Sequence, residues 1–123
     1  MVRDRAHAAQ RIRGTDAIMI DITEETKNGW HVVTVTGRAN HETSDALEAA
    51  LKAAVEANPR VAADFSALNY ISSAGLRAVV QAARVAQRRG SEFAVCSASG
   101  MVSKVFEVSG LDKFLRIQGD LPC

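Results

Sequence analysis

The chain of 123 residues predicts a single α/β domain: a mixed β-sheet with helices packed against it. Three observations carry that expectation. Runs rich in β-branched residues alternate with segments of helical period. The first two runs are joined through Asn28-Gly29, a pair that accepts positive φ and closes tight antiparallel hairpins. An apolar share of 47% fills one core at this length and leaves little room for a second. The expected order is β-β-α-β-α-β-α-β, with parallel crossovers after the opening hairpin.

The elements follow in chain order. Ile18 to Ile22 is a short apolar run interrupted by Asp21 and predicts an edge strand; His31 to Thr36 is the clearer second strand. From Thr43 the period changes. Leu47, Ala50, Leu51, Ala54 and Val55 fall at i, i+3, i+4, i+7 and i+8, one apolar face of a helix, and Asn58-Pro59 ends it. Val61 to Phe65 predicts a strand with Asp64-Phe65-Ser66 as its polar exit. Ala74 to Arg89 predicts a second helix with Leu76, Val79, Val80 and Ala83 on its packed side. Arg88-Arg89-Gly90 closes it, placing cations where the helix dipole favours them and glycine after the last turn. Phe93 to Cys96 is a strand, Met101 to Val108 a short helix presenting Val102, Val105 and Phe106, and Phe114 to Ile117 a final strand. Residues 1–17 have no strong period and are expected to form a mobile extension; 18–118 form the domain and 119–123 a short tail.

Composition excludes several classes of function. A formal net charge of +1 gives no bulk attraction to nucleic acid or to an anionic membrane. No stretch reaches the length of about 20 apolar residues that membrane insertion needs. The first residues lack the apolar core of a secretory signal. Cys96 and Cys123 form neither a metal motif nor a disulfide framework; Cys96 is expected to be a buried free thiol, and the chain to be cytoplasmic. The three histidines make no metal pair, His41-Glu42 being accounted for by loop polarity. No phosphate-binding glycine loop or nucleophile elbow is present, and Ser97-Ala98-Ser99-Gly100 predicts a strand-to-helix turn. No cofactor is implied, and the chain is not expected to be an enzyme.

One segment stands apart: Asn69-Tyr70-Ile71-Ser72-Ser73-Ala74-Gly75-Leu76. Two hydroxyls sit where a helix begins, followed by two residues with almost no side chain. A serine here caps the helix. The small neighbours also leave the backbone open to an approaching kinase, and a phosphate would meet the positive end of the helix dipole. Ser73 and Arg77 are four apart and share a helix face. These features predict a protein-binding module with a modifiable serine. A hydrolytic role for the Ser72-Ser73 turn lacks a neighbouring His or Lys to activate either hydroxyl.

With Val35-Thr36-Gly37-Arg38, Asp64-Phe65-Ser66-Ala67-Leu68 and Val108-Ser109-Gly110-Leu111-Asp112-Lys113, this segment resembles the anti-sigma factor antagonists of the STAS domain family. The resemblance spans Ile18 to Ile117. It implies that Ser73 is phosphorylated by a serine kinase, a histidine-kinase-like ATPase that is also the anti-sigma factor. The unmodified protein would bind that kinase and free a sigma factor, the phosphorylated one would let go, and a phosphatase would reset it. The implied partner surface comprises Ser72, Ser73, Ala74, Gly75 and Arg77 with Arg38 and Asn40. Three positions depart from the family's common pattern: Ser72 stands where Asp is usual, Ala74 where Ser or Thr is usual, and Ala39-Asn40 where a hydrophobic residue and Asp are usual. Stand-alone STAS proteins also imply an alternative role, accessory subunit of a lipid-transport ATPase.

Overall fold

The structure is a computed structural model and describes residues 10–13, 19–98, 100–111 and 116–118. Its seven strands are β1 (Gln10–Arg13), β2 (Met19–Lys27), β3 (Trp30–Ala39), β4 (Arg60–Asp64), β5 (Leu68–Ile71), β6 (Glu92–Cys96) and β7 (Arg116–Gln118). The helices are α1 (Ser44–Ala57), α2 (Ser73–Arg89) and α3 (Gly100–Ser109). The strands form one mixed sheet in the order β1-β2-β3-β4-β6-β7, with β5 also paired to β3. The α/β fold class expected from the sequence is the one observed.

The hairpin closes where the sequence placed it. Asn28 and Gly29 take φ of 53° and 84°, and Lys27 pairs with Trp30 across the two-residue turn. Its first arm runs on through Thr23-Glu24-Glu25-Thr26-Lys27, beyond the expected Ile22, because ladder bonds need no apolar side chains. Nor is β2 an edge: Met19 to Ile22 pair antiparallel with β1. Of the extension expected over 1–17, the described part is Gln10–Arg13, the strand β1; the other residues of that segment, and the tail 119–123, lie outside the described residues.

β3 organises the rest. Its first half, His31 to Thr34, pairs parallel with β4, and its second half, Gly37 to Ala39, pairs parallel with β5. The register shifts at Gly37/Arg38, where Gly37 takes φ of 112° and its N–H donates to the Ala67 carbonyl at 3.1 Å. The expected polar exit after Phe65 is thus a brief turn into a further strand, β5, too short to show a period. β5 ends beside the end of β3, and α2 starts there.

One face of the sheet carries Ile20, Ile22, Val33, Val35, Val61, Ala63, Phe93 and Val95 into a single core with all three helices. All five apolar positions predicted for α1 are buried. Leu47, Leu51 and Val55 each contribute about 1.5–3 kcal/mol when fully buried, and the two alanines less. α2 turns a different face inward than expected: Gly75, Ala78, Val79, Ala82, Val85 and Ala86 are buried, with Leu76 and Ala83 packed at the margin. The small residues win because they let the helix approach the sheet and α1 closely. Gly90 closes α2 in the left-handed region, and the Ser91 N–H donates to the Ala86 carbonyl at 2.8 Å. On α3, Val102 and Phe106 are buried, Phe106 stacking on Phe65 with ring centroids 6.2 Å apart.

The opposite face holds a smaller buried cluster of Trp30, Val32, Ala62, Ala94 and Cys96. Cys96 is buried as its apolar run implies, but it is disulfide-bonded and not the free thiol expected. Periodicity reports burial and says nothing of the oxidation state of sulfur. Ser97 takes the left-handed region at φ 62° in the turn leading to α3; Ser99 and residues 112–115 lie outside the described residues. Among the described residues no helix is long and apolar enough to cross a membrane.

Candidate functional site

Two strand-to-helix connections meet at one end of the sheet. In the first, β5 to α2, the paired serines divide their work. Ser72 is extended (φ −96°, ψ 177°) and caps the helix, its Oγ accepting from the Gly75 N–H at 3.2 Å. Its own N–H donates to the Ala39 carbonyl at 2.8 Å, and its carbonyl accepts from the Leu76 N–H at 2.8 Å. Ser73 is the first helical residue. It is exposed, and its hydroxyl makes no hydrogen bond among the described residues.

The second connection, β3 to α1, is closed on itself. Asn40 Oδ1 accepts from the N–H of Glu42 at 2.9 Å and of Thr43 at 3.1 Å. Thr43 is 1% exposed; its Oγ1 donates to the Arg38 carbonyl at 2.8 Å and accepts from the Asn40 N–H at 3.0 Å. The resemblance leads to an expectation of Asp at position 40, and the geometry shows how Asn40 serves there. An amide oxygen accepts both backbone N–H groups as a carboxylate would, so the loop keeps its shape while the negative charge is gone.

The two connections are locked together. Beyond the Ser72–Ala39 bond, a Cβ placed on Gly75 would lie 2.7 Å from the Ala39 carbonyl oxygen and 2.8 Å from Ile71 Cγ1. Gly75 is buried, so the expectation that it keeps the backbone open to a partner is corrected: its missing side chain lets α2 sit on the end of β3. Ala74 is half-buried beside the exposed Ser73.

Arg38 leaves the same end of β3, exposed, with its guanidinium carbon 4.4 Å from the centroid of the Tyr70 ring on β5. The two are register partners, so the stack is set by strand pairing. Tyr70 was legible in the sequence only as part of a recognisable stretch; nothing there showed that it holds an arginine in place. The parts played by Thr43 and Ala39 were likewise missed, because a hydroxyl turned back on the Arg38 carbonyl and a carbonyl that meets Ser72 and Gly75 leave no mark in any period. Arg77 lies one turn beyond Ser73, exposed, with no hydrogen bond or ion pair among the described residues. The structure therefore brings Arg38, Asn40, Ser72, Ser73, Ala74 and Gly75 to one end of the sheet, with Arg77 next along α2.

The first turn of α2 carries no acid, and its positive dipole end lies beside the exposed Ser73. Among the described residues no three His, Cys, Asp or Glu side chains group to hold a metal, and His41 and Glu42 are exposed in their loop.

Comparison with known proteins places this architecture. Residues 22–118 match the family model described as "Mlab, STAS domain". The chain belongs to the STAS domain family. Over 90 residues it is 36% identical to BtrV of Bordetella bronchiseptica, which is named as an anti-sigma factor antagonist; the match covers 72% of this chain and 78% of BtrV. A solved anti-sigma factor antagonist from Mycobacterium paratuberculosis superposes with a TM-score of 0.72 at 27% identity, covering 80% of this chain and 85% of that one. The Bacillus cell fate determinant SpoIIAA, solved in its phosphorylated form, shares the fold with a TM-score of 0.60 at 20% identity, over 78% of this chain and 89% of that one. Within the STAS family the chain is thus of the anti-sigma factor antagonist type.

Proposed function

We propose that this protein binds an anti-sigma factor that is also a serine kinase, and that phosphorylation of Ser73 ends the association. The observation that carries the proposal is the division of labour at the start of α2. Ser72 is occupied in capping, while Ser73 stands exposed with its hydroxyl unbonded among the described residues. Phosphate on Ser73 adds about −1.5 to −2 charges at the positive end of the helix, which tolerates them. The domain stays folded and its surface changes sign. The partner would contact Ser73, Ala74 and Arg77 with Arg38 and Asn40, and a phosphatase would restore the binding form. That SpoIIAA is known in a phosphorylated form supports the assignment by shared fold.

The test is incubation with the cognate kinase and ATP, followed by peptide mass spectrometry. Label is expected on Ser73 in the native chain and in Ser72→Ala, and none in Ser73→Ala. Label persisting in Ser73→Ala removes the assignment. Phosphorylation also separates this role from docking on a lipid-transport ATPase, which would use the surface without it.

A further inference from the structure

The geometry points to a basic docking track along α2, running from Ser73 to Arg88 and taking an acidic face of the anti-sigma factor; it rests on the binding role proposed above. At 100° per residue, Ser73, Arg77, Arg84 and Arg88 fall within an arc of about 60° on the helix, and all four are exposed. The three guanidinium groups therefore form one stripe, about 16 Å from the Cα of Arg77 to that of Arg88, headed by the switch serine. The 17 residues of α2 include no Asp or Glu. None of the three arginines has a hydrogen bond or ion pair among the described residues, whereas neighbouring Arg89 donates to the Glu56 carbonyl at 3.2 Å.

Helix stability does not account for the stripe. The dipole favours Arg88 and Arg89 in the last turn, but its influence fades within a turn and gives Arg77 and Arg84 nothing. α1 shows the alternative. Its outward face is mixed, and Lys52 is paired with Glu48 at 3.2 Å. With a net charge of +1 the chain has little long-range pull on polyanions, so the stripe acts locally, against a surface that matches its spacing. A folded acidic face does so. Continuity with Ser73 puts that face on the kinase partner, and a phosphate at the head of the stripe would both neutralise Arg77 and repel the incoming acids.

The experiment follows association of the unphosphorylated full chain with the anti-sigma factor that labels Ser73, at about 0.05 M and about 0.5 M salt. The double change Arg84→Gln/Arg88→Gln is expected to lower the on-rate about five- to tenfold at low salt, the gap closing to about twofold at high salt. Arg84→Lys/Arg88→Lys should retain the native on-rate, and Lys52→Gln on α1 should change nothing. Equal on-rates for the native chain and the Gln double variant overturn the track and leave the binding role standing. No association of the native chain removes both. If the double change instead releases the chain from phosphatidylglycerol vesicles and leaves the anti-sigma factor on-rate intact, the stripe faces lipid and the proposal falls.

Discussion

The two helix entrances at the working end of the sheet are built from similar residues and spend them differently. Before α1, Asn40 and Thr43 commit their side-chain oxygens to the loop itself, and Thr43 is buried in the process. Before α2, a single serine caps, and the next hydroxyl has no structural task among the described residues. A residue with no such task can be modified or replaced without unfolding the domain. The difference teaches where a switch can sit. It belongs at the entrance with a spare group, supported by the one without.

The sharpest way to break that contrast is to place charge at each entrance. Ser73→Asp should weaken anti-sigma factor binding about a hundredfold or more, since a like charge set against an acidic partner costs several kcal/mol. Its thermal midpoint should stay within a few degrees of native. Loss of folding, read by circular dichroism, would mean that Ser73 has a structural task after all.

Gly75→Ala probes the lock between the entrances. Alanine normally improves a helix interior by about 0.5–1 kcal/mol over glycine. Here the added methyl meets the Ala39 carbonyl oxygen at 2.7 Å, so overpacking should reverse the sign and cost about 1–3 kcal/mol. A urea titration reads this directly, and a stabilised variant would show that the two connections are not held in contact.

Asn40 tests the claim that its oxygen, and not its charge state, shapes the α1 entrance. Asn40→Ala orphans the Glu42 N–H, while the Thr43 N–H keeps the Asn40 carbonyl, and should cost about 1 kcal/mol. Asn40→Asp keeps the acceptor and should fall within about 0.5 kcal/mol of native stability. Equal losses in both variants would show that the amide nitrogen matters instead.

Much of this was legible in the sequence wherever a side chain reports its own environment. The α1 face, the Asn28-Gly29 turn and the cap of α2 at Gly90 all read directly. What the sequence hid depends on partners remote along the chain. β5 is four residues long and exists because β3 outruns β4; the polar half of β2 exists because β3 is there to pair with it. The inward face of α2 was misjudged toward Leu76 and Val80, because hydrophobicity favours large side chains while close packing at Ala39 demands small ones. At the site, the serine pair and Arg77 were visible as residues. Which serine caps and which is free, and what replaces the absent carboxylate at Asn40, became visible only as geometry.

Arg77 carries the smallest effect and the finest distinction. It is exposed and without a partner among the described residues, so its removal cannot unbalance the fold, and Arg77→Ala should keep native circular dichroism and stability. A solvent-exposed charge meeting a partner's acid at an interface rim contributes about 1 kcal/mol, which is about fivefold in affinity at low salt. Arg77→Lys keeps the charge but not the planar fork, so it should recover most of that loss if Arg77 acts by charge alone and little if it grips a carboxylate in two places. The decisive reading combines the switch with the arginine. If phosphate works partly by capturing Arg77, the variant should show a smaller drop in affinity on Ser73 phosphorylation than the native chain does. An unchanged drop, with unmodified Arg77→Ala binding as tightly as native at low salt, would leave Arg77 without a part in the switch, and the phosphate would then act by direct repulsion of the partner alone.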